Sequence, residues 1–153
     1  MYIRNIFKRY KLKIDGNQIY DPIRKKYVAL TPEEQVRQQT IKFLIQRLKV
    51  PVDRIGVERT LHSLGLTGNW KRIDICIYGP NDEIIALIEC KADDLGMWES
   101  AYMQVIDYAE SLKVRNYFVV DAWGISGYHY VYERNQYDPI DDIPNYEQML
   151  HLD

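Results

Sequence analysis

Three side chains in this chain of 153 residues have the types and spacing for chemistry: Asp74, Glu89 and Lys91. Glu89 and Lys91 flank Cys90 near the end of the apolar run Glu83–Ala92. Alternation puts Ile85, Leu87, Glu89 and Lys91 on one face of that run and Ile84, Ala86, Ile88 and Cys90 on the other. Asp74 sits in a second alternating run, Lys71–Tyr78, with Arg72 and Cys76, opposite Ile73, Ile75 and Ile77. The turn-forming stretch Gly79-Pro80-Asn81-Asp82 joins the two runs as a hairpin and places Asp74 beside Glu89. Charges at the ends of core strands are costly unless paired, hydrated or bound to a metal. Two carboxylates supply hard oxygen ligands for Mg²⁺, with Mn²⁺ as an alternative, and the backbone carbonyl of Cys90 offers a third ligand. Such an ion would polarise a scissile phosphate and lower the pKa of a bound water. Lys91 would orient or help deprotonate that water and offset charge on the phosphate. Hairpin ion pairs without chemistry would explain the same letters. Carboxylates more than about 7 Å apart could not share one ion.

Further residues could support this trio. Gln104 and Tyr108, four apart on an expected helix, share one face and can hydrogen-bond a phosphate or a water, or simply hold a half-buried amphipathic position. Glu34 could approach the metal shell, although a helix-capping role accounts for it. Glu58 is another nearby carboxylate, which could equally pair with Arg72 or Lys91. Arg24, Lys25, Lys26 and Arg72 are candidate phosphate contacts, because basic segments neutralise phosphate charge, although a charge run is more often a solvated face.

The elements that must position these groups follow from pattern. Residues 1–30 form a basic arm packing on the core, with Asp15-Gly16 as a hairpin turn between Tyr10–Ile14 and Gln18–Tyr20. A helix spans Pro32–Lys49, with Thr31 as N-cap, Pro32 at its first position and Glu34 completing a capping box. Its buried side is Val36, Thr40, Phe43 and Leu44, and Pro51 stops it. Strands are expected over Arg54–Leu64, Lys71–Tyr78 and Glu83–Ala92. A second helix spans Met97–Lys113, burying Ala101, Val105, Tyr108, Ala109 and Leu112. A strand at Asn116–Val120 follows, then a turn over Gly124 to Gly127 and a last strand, Tyr128–Glu133. The acidic stretch 136–153, with Pro139 and Pro144, reads as an irregular tail. The order α-β-β-β-α-β-β predicts an α/β fold with a central mixed sheet flanked by helices: three strands in a meander, then a helical crossover.

Composition narrows the classes. Apolar content of 46% and charged content of 27% fit one folded domain. No apolar run approaches the roughly 18 residues of a membrane span, and the N-terminus lacks a secretory apolar region, so a cytoplasmic protein is expected. Cys76 and Cys90 lie in apolar runs and read as reduced core residues. The three histidines show no zinc-ligand spacing. The net charge of −2 is neutral on partners. The thirteen tyrosines are many for this length, and could stack on bases or fill the core.

Several segments together resemble the N-terminal domain of type I restriction enzyme R subunits. They are Tyr20–Tyr27, Leu30–Gln38, the stretch Lys71-Arg72-Ile73-Asp74-Ile75, Ile88-Glu89-Cys90-Lys91, and the pair Gln104 and Tyr108. The resemblance covers roughly residues 18–135. It implies a restriction-endonuclease-like core of the PD-(D/E)XK superfamily over residues 31–135, Mg²⁺-dependent hydrolysis of DNA phosphodiesters, and Asp74, Glu89 and Lys91 as the reacting groups. A silent DNA-binding or protein-interaction module with the same fold is the alternative. Ile73 stands where the motif nominally has proline. The sequence has no G-x-x-x-x-G-K-S/T loop, so ATP is not expected as a cofactor, and a protein partner would supply any motor or specificity. A homo-oligomer is compatible with all of this.

Overall fold

A computed structural model describes residues 2–4, 10–92 and 98–151, with side chains at 98, 99 and 101 outside the description. The expected helix start at Met97 and the inward placing of Ala101 therefore lie outside the described residues. The chain begins with β1 (Tyr2–Arg4), then β2 (Ile14–Asp15), β3 (Gln18–Asp21) and β4 (Lys26–Ala29). The last three form a small antiparallel sheet of their own. Gly16, at φ +60°, supplies the left-handed turn between β2 and β3. Residues 14–29 of the basic arm thus form a three-stranded ribbon, one strand more than the single hairpin expected.

Thr31 caps α1 (Pro32–Gln46), its Oγ1 accepting from the Glu34 N–H at 3.0 Å, with Pro32 at the start. The Glu34 side chain does not close the expected capping box; it reaches Arg24, Arg37 and Gln38 instead. After a short 3₁₀ turn, β5 (Ile55–Thr60), β6 (Arg72–Tyr78) and β7 (Ile84–Cys90) form the expected antiparallel meander. The first of these is shorter than predicted because the chain turns at once, Leu64 N–H bonding Leu61 O and Gly65 N–H bonding His62 O. The crossover helix α2 (Trp98–Leu112) then delivers β8 (Asn116–Val120) parallel to β7.

Beyond β8 the chain departs from expectation. Asp121 Oδ1 accepts from the N–H groups of Trp123 and Gly124, which tightens the turn. The strand β9 (Gly124–Val131) therefore starts at Gly124, where a turn was expected. Gly124 is needed within the strand, because a Cβ there would sit 2.2 Å from the Ile3 carbonyl of β1. The acidic segment is not an irregular tail either: β10 (Gln136–Pro139) pairs with β9, and α3 (Tyr146–His151) buries Tyr146 and Met149. The result is an α/β fold with a seven-stranded mixed sheet in the order β1-β9-β8-β7-β6-β5, with β10 also on β9.

Two apolar clusters fill the space between sheet and helices. One joins Val36, Ile41, Phe43 and Leu44 of α1 and Met149 of α3 to Ile75, Ile77, Ile88 and Phe118. The other joins Val105, Tyr108 and Ala109 of α2 to Ile73, Cys76, Leu87 and Tyr117. Simple alternation is therefore wrong for β6: Ile73 packs with Cys76, not with Ile75 and Ile77. The cause lies opposite Asp74. Between the pairs Val57↔Ile75 and Arg59↔Ile73 stands Glu58, left-handed at φ +55°, and the period of two breaks at this level. Glu58 and Asp74 both turn to Arg37 of α1. In β7 a register shift at Ile77/Tyr78 has a similar effect, placing Ile85 with the α1 cluster and Leu87 with the α2 cluster. Cys76 and Cys90 are buried free thiols, as expected.

Candidate active site: a buried carboxyl pair beneath one arginine

The meander brings Asp74 and Glu89 together at the adjoining ends of β6 and β7. Asp74 is 6% exposed and Glu89 7%. Asp74 Oδ2 accepts from the Cys90 N–H at 2.7 Å, and the Asp74 N–H points to Glu89 Oε1 at 3.4 Å, which sets the two carboxyls side by side. N–H and C=O of a strand residue point to the same side, so the Cys90 carbonyl also looks towards Asp74. Lys91 is the first residue past β7, its N–H continuing the ladder to Val120 O at 2.8 Å.

Burial and mutual repulsion split this pair. Desolvation, then the hydrogen bond and charge of Asp74, push the Glu89 carboxyl up to about 9, while Lys91 pulls it back only in part. Desolvation works against an ionised Asp74 as well. Bonds from Glu89, the Cys90 N–H and Arg37 outweigh it and hold Asp74 below the usual carboxylate range. Like charges in contact push the two carboxyls in opposite directions, Glu89 up and Asp74 down.

Arg37, which the sequence reading did not place in the site, is its hub. Its Nη2 donates to Asp74 Oδ1 at 2.7 Å and Glu58 Oε1 at 2.8 Å, and its Nη1 to Glu34 Oε1 at 2.6 Å. Burial opposes its charge, but the bond to Asp74 and the surrounding carboxylates raise its pKa above the ordinary value. Glu34 Oε1 also accepts from Arg24 Nη2 at 2.6 Å, and Arg24 Nε donates to the fully buried Asp21 at 2.5 Å. An unbroken chain of ion pairs therefore runs from the small sheet to the carboxyl pair. A signal existed: Glu34, Arg37 and Gln38 make a polar stripe at helical spacing, on a helix expected to bury one side.

The other predicted residues sort plainly. Glu34 and Glu58 join the cluster through Arg37. Arg24 points inward, into ion pairs, whereas Lys25 on the β3–β4 turn and Lys26 at the start of β4 are exposed. Arg72 is exposed, 3.6 Å from Glu58 Oε2. Gln104 Nε2 donates to the Tyr108 hydroxyl at 2.9 Å, and Tyr108 packs beside Ile73 and Leu87, the neighbours of the strand-end carboxyls.

Among the described residues no three His, Cys, Asp or Glu side chains are grouped to cage a metal. The donor set suits an ion that takes two carboxylates, a carbonyl and retained waters, which is how Mg²⁺ is usually held. Two buried carboxyls side by side at the strand ends fit that donor set.

Two outcomes are expected. Arg37→Met leaves three carboxylates without their common cation and should lower unfolding stability by roughly 3–5 kcal/mol in urea titrations, with Arg37→Lys recovering only part. In chelator, the protein should lose stability as pH rises from about 4.3, where Glu89 ionises in the unfolded chain, to about 9, where it ionises in the fold. The unfolded state alone releases the proton in that window, so rising pH favours it. Urea midpoints should show this fall in the wild type and a smaller one in Glu89→Gln.

The sequence profile of the type I restriction enzyme R protein N terminus matches residues 32–144. The match begins after the small sheet, although the sequence resemblance began near residue 18, and it includes the meander, α2 and β8 to β10. No match was found among curated proteins or solved structures. No helix of the described residues is long and apolar enough to cross a membrane. With its carboxyl pair, Lys91 and the Gln104–Tyr108 pair all inside the matched span, the chain belongs to the family of type I restriction enzyme R protein N-terminal domains.

Proposed function

We propose that the chain is a divalent-cation-dependent DNA nuclease domain of the PD-(D/E)XK type, working within a restriction system. The observation that carries this reading is the buried Asp74–Glu89 pair, side by side at the ends of two adjoining strands with Lys91 next in line. The order α1, β5, β6, β7, α2, β8, β9 supports a restriction-endonuclease-like core. Family membership points to DNA and to a multi-subunit setting.

Asp74, Glu89 and the Cys90 carbonyl would hold Mg²⁺ or Mn²⁺. The ion supplies Lewis acidity towards a phosphate and a more acidic water. Glu89 must surrender its proton before it can ligate, so loading becomes easier as pH rises. Arg37 fixes the orientation of Asp74 through Oδ1. Lys91 faces the phosphate, offsets its growing negative charge and helps take the proton of the attacking water. Tyr108 and Gln104 offer hydrogen bonds from α2. Lys25, Lys26 and Arg72 neutralise backbone phosphates, a role from which Arg24 is withdrawn by Asp21 and Glu34. These 153 residues carry no phosphate-binding G-x-x-x-x-G-K-S/T loop, so they supply no ATP-driven motor by that route.

One observation favours a second reading, a silent DNA-binding or interaction module: Arg37 already neutralises Asp74. A cleavage assay decides between them. Plasmid and linear DNA incubated with the purified chain and Mg²⁺ or Mn²⁺ should be cut, and chelator should stop the reaction. Asp74→Asn and Glu89→Gln should abolish cutting, and Lys91→Ala should slow it by roughly 10²–10⁴-fold. Equal cutting by the wild type and all three variants would sink the site. DNA binding without any cutting would establish the silent module.

A further inference from the structure

The connection between β5 and β6 differs in charge from the rest of the chain. From Arg59 to Arg72 the sequence carries Arg59, Lys71 and Arg72, together with His62, and no Asp or Glu, in a protein of net charge −2. All three cations are exposed. Beside them Trp70 is 66% exposed, a large apolar ring that folding alone would favour burying.

The ring is also held in place. Trp70 stacks on His62 with centroids 4.1 Å apart and planes 20° from parallel. His62 Nδ1 accepts from the Gly68 N–H at 3.0 Å, and the His62 backbone N–H donates to Asn69 O at 2.7 Å. Asn69 Oδ1 in turn accepts from the Lys71 N–H at 3.1 Å. Leu61, Leu64 and Leu66 anchor the loop in the α2 cluster. One face of a fixed aromatic pair is thereby offered to solvent among cations. Trp70 lies four residues before Asp74, at most about 14 Å along an extended chain, a distance of a few nucleotides.

We infer that this hairpin is a nucleic-acid contact in which Trp70 stacks on an unpaired base near the scissile phosphate while Lys71 and Arg72 take flanking phosphates. Bases within an intact duplex have no free face, so the preferred substrate carries a single-stranded or unstacked nucleotide beside the cut. The inference rests on the nuclease reading for the place of the cut, though not for the binding itself. The absence of acidic residues through the loop argues for an anionic polymer rather than a protein partner.

The test is fluorescence anisotropy with the full chain in chelator, using a labelled single-stranded oligonucleotide, a blunt duplex and the same duplex with a single-stranded tail. Trp70→Ala should weaken single-strand and tailed-duplex binding by roughly ten- to a hundredfold and blunt-duplex binding by less than about threefold. Trp70→Phe should keep most of the affinity. Lys71→Gln should weaken all three ligands alike and flatten their salt dependence. Thermal melting should be the same for all variants, because these side chains are exposed. Unchanged single-strand binding by Trp70→Ala, an equal loss on blunt duplex, or no nucleic-acid binding by the wild type would each overturn the inference. If the wild type cuts DNA while Trp70→Ala binds single strands normally, the contact fails and the nuclease stands. If the wild type never cuts but Trp70→Ala loses single-strand binding, the nuclease fails and the contact stands.

Discussion

Arg37 lies buried among Glu34, Glu58 and Asp74, and much of the molecule is arranged around that charge. A guanidinium taken out of water must be paired, and the fold supplies partners from three elements, α1, β5 and β6. The demand reaches into the backbone. Glu58 adopts a left-handed conformation that costs an L-residue roughly 1–2 kcal/mol, and the β5–β6 pairing loses its alternation there. That break turns Asp74 to the α1 side, where its second oxygen can take the Cys90 N–H. Through Glu34 and Arg24 the same network ties the N-terminal ribbon to the core.

The network leaves Glu89 out. Among the described residues no guanidinium bonds to it, and the charge of Asp74 beside it raises its pKa. Burial and the charge of Asp74 therefore raise the Glu89 carboxyl well above its ordinary range, at strand ends whose next residue is a lysine. A purely structural ion-pair cluster would gain by replacing that carboxyl with an amide or an apolar group. A site for a divalent cation needs the second carboxylate and accepts the strain of keeping it.

The sequence was most legible where periodicity is strong. The helix capped by Thr31, the β-meander, the crossover and the closeness of Asp74 to Glu89 all follow from alternation and turn chemistry, because these are local signals. What failed was long-range. The change of face at Asp74 depends on an arginine 37 residues earlier in the chain, and no window along β6 contains it. Gly124 and Gly127 suggested a turn, whereas both are strand positions where β1 and the Phe118 ring come too close for a side chain. The acidic C-terminal segment looked irregular because its order comes from pairing with β9 and packing of Tyr146 and Met149. Arg24 looked like a surface cation, since only the fold shows Asp21 and Glu34 closing on it.

The central claim, that Asp74 and Glu89 form one cation site, is tested most directly by locating Mn²⁺ in crystals of the chain from its anomalous scattering, at a pH near neutrality. The expected result is a single strong peak about 2.1 Å from a carboxylate oxygen of both residues. Peaks only at surface carboxylates, with none between Asp74 and Glu89, would contradict it.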